Sequence, residues 1–114
     1  MKIAVSSQNF RTITGHAGKT RRFLVFSEGA QGGYVETARL DLPKHMSMHE
    51  FSGDAHPLDE MDVLITAGCG EGFIRKMGFR GVRVIATSEP DPLNAVTLFC
   101  SGQRLPEPVP HSHA

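Results

Sequence analysis

The stretch "MDVLITAGCGEGFIRKMGF", residues 61–79, decides the fold, because it takes an apolar strand through a glycine-rich turn into a helix. The continuous Val/Leu/Ile run before the glycines is typical of a strand that is buried on both faces. Phe73, Ile74 and Met77 follow at helical spacing, and Gly78 is placed to cap the end of that helix. A strand that leads directly into a helix is the unit from which α/β folds are built.

On either side of this stretch, four more segments have the composition of strands. They are residues 2–6, 23–27, 34–42 and 82–88. The second and third of these are separated by a glycine-rich turn and predict a β-hairpin. Between the hairpin and the central stretch, Pro57 with the acidic pair Asp59 and Glu60 indicates a short helical turn.

The last helix is marked at both ends. Asp91 is a good N-cap, Pro92 suits the first helical position, and Gly102 is the expected stop. The predicted apolar stripe consists of Leu93, Val96 and Cys100. We therefore assign Cys100 to the core.

This order of elements predicts an α/β fold in three layers, with helices on both faces of a five-stranded mixed sheet. Right-handed crossovers are satisfied by the strand order 3-2-1-4-5, with strand 2 antiparallel. The direction of winding then changes between strands 1 and 4. A ligand is expected beyond the carboxyl ends of these two strands.

Length, charge and cysteine usage narrow the class of protein. A chain of 114 residues can bury one core, so we expect a single domain over residues 1–103 and a disordered Pro- and His-rich tail over residues 104–114. The formal net charge is zero, which argues against nucleic acid or an anionic membrane as a partner. Cys69 and Cys100 lack CxxC spacing, and the chain shows neither a signal peptide nor a membrane span. We expect a soluble cytoplasmic protein with reduced thiols.

The loop after strand 1 contains the first candidate site, "GHAGKTRRF" at residues 15–23. His16 is flanked by glycines and has a side chain that can act as a ligand or as an acid or base near neutral pH. Lys19, Arg21 and Arg22 give the loop a local positive charge that suits an anion. The alternative is a solvated basic stretch before a strand.

The turn "GCGEG", residues 68–72, is the second candidate. It matches neither GxGxxG nor a P-loop, but backbone amides from Gly70 to Gly72 at the start of a helix can face an anion. The alternative is a tight turn that lets the helix pack closely on the sheet. Cys69 lies in the same turn, where the helix dipole is expected to lower its pKa. Cysteine catalysis would need a base nearby, and His16 is the only candidate for it across the switch point.

A third candidate is a metal centre in the histidine-bearing segment. His45 and His49 have the i, i+4 spacing that brings two imidazoles together on a helix, and His56 is a possible third ligand. Met46 and Met48 are soft thioethers that copper accepts. The alternative is that these histidines are scattered on a surface loop. His111 and His113, in the tail, are weaker candidates still.

The order of these motifs is similar to that of a known family. "MKIAVSS", "GHAGKTRRFLVF", "DVLITAGCGEGFIRKMGFRGVRVI" and the final "CSGQ" together resemble the dinitrogenase iron-molybdenum cofactor biosynthesis family, from Met1 to Gln103. The resemblance implies a ribonuclease-H-like fold. It also implies binding or carriage of iron-sulfur or molybdenum-containing clusters in nitrogen-fixation-related cofactor assembly, without catalysis. The G-H-F-G type loop of the family corresponds to Gly15–Gly18, where Ala17 replaces the usual aromatic residue.

The functional hypothesis is therefore a metallocluster carrier that exchanges its cargo with cofactor-assembly proteins. An anionic metal-sulfur cluster would be held by the cations Lys19, Arg21 and Arg22, by the amides at Gly70 to Gly72, and by a His or Cys ligand. The alternative is a regulatory or protein-interaction module that binds no cofactor. A two-metal nuclease is disfavoured, because the ends of strands 1 and 4 offer Ser6, Ser7 and Gly68 in place of carboxylates.

Overall fold

A five-stranded mixed sheet forms the centre of the protein. The structure, a computed structural model, describes residues 1–109. The strands are β1 (Ile3–Ser6), β2 (Arg22–Glu28), β3 (Tyr34–Asp41), β4 (Val63–Thr66) and β5 (Arg83–Ala86). The order across the sheet is β3-β2-β1-β4-β5. β2 is antiparallel to β1 and β3, whereas β1, β4 and β5 are parallel, so the predicted strand order and directions are confirmed.

Two α-helices cover opposite faces of this sheet. They are α1 (Glu71–Phe79) and α2 (Pro92–Cys100), and short 3-10 helices occupy Lys44–Met46 and Pro57–Glu60. Phe73 and Met77 of α1 pack on one face, together with Met48 from the segment between β3 and β4. Ala95 and Val96 of α2 pack on the other face. The three-layer α/β architecture expected from the sequence is therefore present.

Both α-helices end in the same way. In α1 the turn is made by Gly81, at φ +80°, and not by Gly78 as predicted. The amide of Val82 donates to the carbonyl of Met77 at 2.9 Å, as in a Schellman motif. Gly102, at φ +79°, ends α2 by the same geometry, which confirms the predicted stop.

The buried stripe of α2 differs from the prediction. Asp91 caps the helix as expected, accepting from the amide of Asn94 at 2.8 Å. Pro92 packs inward at the first position, so the stripe continues through Ala95 and Val96. Cys100 is exposed, and its assignment to the core is therefore wrong.

The chain beyond α2 lies against the sheet and is ordered through the first part of the predicted tail. Leu105 is 9% exposed and packs in the core on the α2 face. The hydroxyl of Thr87 donates to the carbonyl of Pro106 at 2.7 Å. The expected disorder from residue 104 onward is thus wrong for this part. His111 and His113 lie outside the described residues.

None of the helices within residues 1–109 is long and apolar enough to cross a membrane.

Candidate functional site

A cavity of about 590 Å³ opens where β1 and β4 end. Its lining comes from the loop after β1, from the turn after β4 with the start of α1, and from one residue of the segment between β3 and β4. The lining residues are His16, Ala17, Gly18, Lys19, His49, Gly68, Cys69, Gly70, Gly72 and Phe73. The cavity therefore lies at the switch point where a ligand was expected.

Buried hydroxyl groups join the two strand ends beneath the cavity. The Ser6 hydroxyl lies 2.8 Å from that of Thr66 and donates to the carbonyl of Thr14 at 2.6 Å. Backbone bonds complete the junction, from the Ala67 amide to Thr14 at 3.1 Å and from the Ala17 amide to Gly68 at 3.2 Å. The loop after β1 is thereby held against the turn after β4.

A tight turn positions His16 and Lys19 on the cavity wall. His16 has a φ of +53°, a left-handed conformation that histidine adopts more readily than most residues. Its carbonyl accepts from the amides of Lys19, at 2.9 Å, and Thr20, at 3.1 Å. The methyl group of Ala17 is fully buried in the core below. A small residue at position 17 thus supports the turn from beneath.

The N-terminus of α1 opens onto the same cavity. Gly70 is the N-cap residue, and no side chain in the described part of the protein caps the helix amides. A Cβ atom at Gly70 or Gly72 would meet no atom within 4 Å. The space above these backbone groups is therefore open to a ligand, and the positive end of the helix dipole favours an anion there.

Cys69 is a half-buried thiol between these amides and the core. Burial raises the pKa of the Cys69 thiol above its ordinary value of 9.0. The expected lowering by the helix dipole is therefore wrong, because the loss of hydration outweighs it. Cys69 is protonated at neutral pH, and metal binding would release its proton.

The two arginines predicted for this site lie elsewhere. Arg22 forms an ion pair with Asp41 at 3.3 Å, and its guanidinium lies 5.2 Å from the centre of the Phe10 ring, on the α2 face. Arg21 lines a neighbouring pocket, not the cavity. Adjacent residues at the start of a strand point to opposite faces, which is why the two side chains separate.

His49 joins the cavity through a contact that the sequence did not indicate. Its amide donates to the carbonyl of Gly18 at 2.7 Å. Lys76 of α1 donates to the carbonyls of Met48 and Phe51, on either side of His49. These bonds hold the histidine-bearing segment beside the loop after β1.

His56 cannot serve as the predicted third metal ligand. It is buried, Nδ1 accepts from the amide of Leu58 at 3.0 Å, and Nε2 donates to the carbonyl of Met46 at 2.6 Å. Burial lowers the pKa of His56 below 6.5, although the bond to Met46 opposes this shift. His56 and Asp59 form a capping box around Pro57, and the pattern His-Pro-x-Asp is the sequence signal for it.

The predicted three-histidine metal centre is therefore wrong. His45 is exposed on a 3-10 helix and does not line the cavity, so the i, i+4 relation to His49 does not arise. Across the described part of the chain, no three His, Cys, Asp or Glu side chains are placed to hold one metal ion. Of these three histidines, only His49 lines the cavity.

Two solved structures share this fold at low sequence identity. The crystal structure of the protein PH0822 is 15% identical, with a TM-score of 0.69, and the match covers 92% of this chain and 96% of that one. The NMR structure of a candidate NifB protein from Thermotoga, assigned to the DUF35 family, is 12% identical, with a TM-score of 0.61 over 99% of this chain and 98% of that one. At such identities the likeness shows the fold alone.

The family comparison covers nearly the whole chain. No curated protein matches the sequence. The family described as "Dinitrogenase iron-molybdenum cofactor", in contrast, matches residues 1–102, and thus includes every strand, both α-helices and all residues that line the cavity. The chain therefore belongs to the dinitrogenase iron-molybdenum cofactor family.

Proposed function

We propose that this protein binds an anionic metal-sulfur cluster, containing iron or molybdenum, in the cavity between β1 and β4, and carries it without changing it chemically. The supporting observation is the composition of the cavity wall. His16, His49 and Cys69 provide nitrogen and sulfur donors, and Lys19 provides a positive charge. Among residues 1–109, no carboxylate lines the cavity. Such a wall suits a soft, negatively charged ligand.

The size of the cavity supports a cluster more than a single ion. Its volume of about 590 Å³ is in the range of small-molecule sites, which is about 300–1,000 Å³. The histidines and the cysteine of the wall do not form a site for one ion in the described chain. An extended cluster can instead meet separate ligands at different points of its surface.

Electrostatic attraction and few covalent ligands suit a carrier. The Lys19 ammonium and the open amides at the start of α1 attract an anion without forming metal bonds. Cys69 must lose a proton to bind a metal, so protonation of this thiol favours release. We expect cofactor-assembly proteins of the cytoplasm to give and receive the cluster.

We expect the protein to act without catalysis. The hydroxyls of Ser6 and Thr66 stand at the strand ends where a two-metal enzyme would place carboxylates, and both are engaged in hydrogen bonds that hold the loops.

Cluster retention by the purified protein tests the proposal. The apo-protein is titrated under anaerobic conditions with tetrathiomolybdate plus copper and, separately, with an iron-sulfur cluster donor. Visible absorption and metal content are measured after desalting. We expect a retained chromophore in the wild type and its loss in Cys69→Ser and His49→Ala, because both side chains line the cavity.

Matched controls come from the same chain. Cys100→Ser removes an exposed thiol on α2, and His45→Ala removes an exposed histidine of the same segment as His49. Both variants should retain the cluster as the wild type does. Equal loss in control and cavity variants would place binding elsewhere. A wild type that retains no metal from either donor would favour the cofactor-free interaction module.

A further inference from the structure

A second, smaller pocket of about 410 Å³ lies beside the cavity. We call it the rim pocket. It is lined by Lys19, Arg21, Lys44, Ser47, His49 and Glu50. It shares Lys19 and His49 with the cavity, but Cys69 and the start of α1 do not line it. It is therefore a separate concave surface with its own chemistry.

The topology of the hairpin brings its cations together. β2 and β3 are antiparallel, and Arg22 pairs with Asp41 at their common end. The amide of Leu42 donates to the carbonyl of Arg21 at 2.9 Å, so the residue before β2 and the 3-10 helix after β3, which begins at Lys44, lie at the same edge. The hydrogen bond from the His49 amide to the carbonyl of Gly18 brings the loop that carries Lys19 to the same edge.

No ion pair neutralises the cations of the rim pocket in the described part of the chain. Within residues 1–109, ion pairs engage Lys2, Arg22, Arg39, Arg80 and Arg104. None of these pairs includes Lys19, Arg21 or Lys44. Glu50 is the one carboxylate among the residues that line the rim pocket. The three cations therefore give the pocket a net positive charge that an anion would neutralise.

We infer that the rim pocket binds a small polyanion that carries carboxylate or phosphate oxygens. Arg21 is half-buried, and its guanidinium offers a planar pair of donors that matches either group, while the two lysines add point charges. A concave pocket lined by few residues suits a small molecule better than the flat acidic surface of a protein. The inference does not depend on the proposed function, because it concerns the protein without a cluster.

Calorimetric titration of the apo-protein tests the site. The probes are inorganic phosphate and citrate, at low ionic strength because salt screens exposed charges. Both should bind saturably to the wild type. We expect the double variant Arg21→Ala/Lys44→Ala to bind at least about tenfold more weakly, since one factor of ten corresponds to about 1.4 kcal/mol. A stronger response to citrate would assign a carboxylate ligand, and a stronger response to phosphate would assign a phosphate ligand.

The control is a double variant that removes two positive charges outside the rim pocket. Arg11 and Arg75 are exposed and do not line the rim pocket, so Arg11→Ala/Arg75→Ala should bind both probes as the wild type does. An equal loss in both double variants would mean attraction by overall charge and would overturn the inference. Absence of saturable binding would overturn it too. A third result would also overturn it. If poly-glutamate bound through Arg21 and Lys44 while phosphate and citrate did not bind, the partner would be an acidic macromolecule.

Discussion

Gly72 is a glycine that packing does not require. A Cβ atom there would meet no neighbour within 4 Å, and its φ lies outside the left-handed region. Close packing of helix on sheet therefore does not explain this glycine of the turn at residues 68–72. An open space over the first amides of α1 agrees with the alternative, a surface kept clear for a ligand.

Gly72→Ala should separate stability from binding. We expect the free energy of unfolding to rise by about 0.5–1 kcal/mol, because alanine loses less backbone entropy than glycine in a helix. Retention of a metal-sulfur cluster should fall, since the new methyl group occupies space in the cavity. Urea unfolding and metal analysis on one preparation measure both effects.

Gly78→Ala is the matched control for this prediction. Gly78 lies in the same helix, its Cβ would also meet open space, and it does not line the cavity. This variant should gain a similar stability and keep the cluster. If the two variants retained the cluster equally, the role of Gly72 in leaving room for it would be refuted.

His56 makes folding stability depend on pH. Its pKa is lowered by burial in the folded state, whereas the unfolded state has the ordinary value of 6.5. Below 6.5 the unfolded chain binds the proton more readily. The contribution of His56 is therefore complete above 6.5 and is lost as the pH falls through the window down to the folded-state pKa.

We expect the free energy of unfolding to decrease from about pH 7.5 to about pH 5 and the decrease to be smaller in His56→Gln. Urea unfolding at several pH values measures the slope. His45→Gln, which removes an exposed histidine of the same segment, is the control and should keep the slope of the wild type. An unchanged slope in His56→Gln would show that this ring is not the titrating group.

Helix α1 both faces the cavity and holds the segment that carries His49. Arg80 bonds both carboxylate oxygens of Asp59, at 2.7 and 2.9 Å, and its guanidinium lies 5.3 Å from the centre of the Phe51 ring. Desolvation raises the pKa of Asp59, but the bonds from Arg80 and from the His56 amide outweigh it and keep this pKa low. Of the bonds between α1 and this segment, those from Lys76 to the carbonyls of Met48 and Phe51 are the nearest to His49 along the chain.

Lys76→Met should loosen this segment. The variant removes a charged donor from the carbonyls of Met48 and Phe51, so we expect a loss of about 1–3 kcal/mol in the free energy of unfolding. Amide hydrogen exchange at residues 47–51 should become faster, and cluster retention should fall because His49 is no longer held at the cavity.

Two further substitutions test whether the hydrogen bonds of Lys76 hold His49 in position. Lys76→Arg keeps a donor and should restore part of the exchange protection and of the retention. Arg75→Met removes the neighbouring exposed cation and should leave both unchanged. Normal exchange at residues 47–51 in Lys76→Met would argue that α1 does not position His49.

In the whole molecule, the cavity and helix α2 lie on opposite faces of the sheet. The cavity lies on the α1 face, whereas α2 and the chain after it cover the other face. Leu105→Ala should therefore lower the free energy of unfolding by about 2–3 kcal/mol, the usual cost of truncating a well-buried leucine. Cluster retention should stay at the level of the wild type.

Val109→Ala is the control for Leu105→Ala, because Val109 is 72% exposed. Its stability, measured by urea unfolding, should match that of the wild type. If Leu105→Ala were equally harmless, residues after α2 would contribute nothing to the core.

Local patterns along the chain were enough to predict the sheet and both helices. Asp91, Pro92 and Gly102 marked the ends of α2, and the hairpin and the central strand-turn-helix led to the observed strand order. The strand ends at which the cavity lies followed from that order. Such features depend on neighbours a few residues apart, which the sequence shows directly.

Contacts between distant parts of the chain decide which residues line the cavity. His16, Lys19, Cys69, Gly70 and Gly72 were found because they follow strands whose ends meet.

His49 was grouped with His45 and His56, whereas in the structure it lines the cavity, because its position depends on the bond to Gly18 and on Lys76. β2 begins at Arg22, one residue earlier than predicted, so both arginines lay outside the predicted strand and its alternation could not separate them.

The chain therefore encodes its elements and their order locally, through apolar period, caps and turns. The pKa of Cys69, the hydrogen bonds of His56, the exposure of Cys100 and the burial of Leu105 arise only when those elements pack. Burial and hydration belong to the assembled structure, because they depend on every surface that surrounds a group.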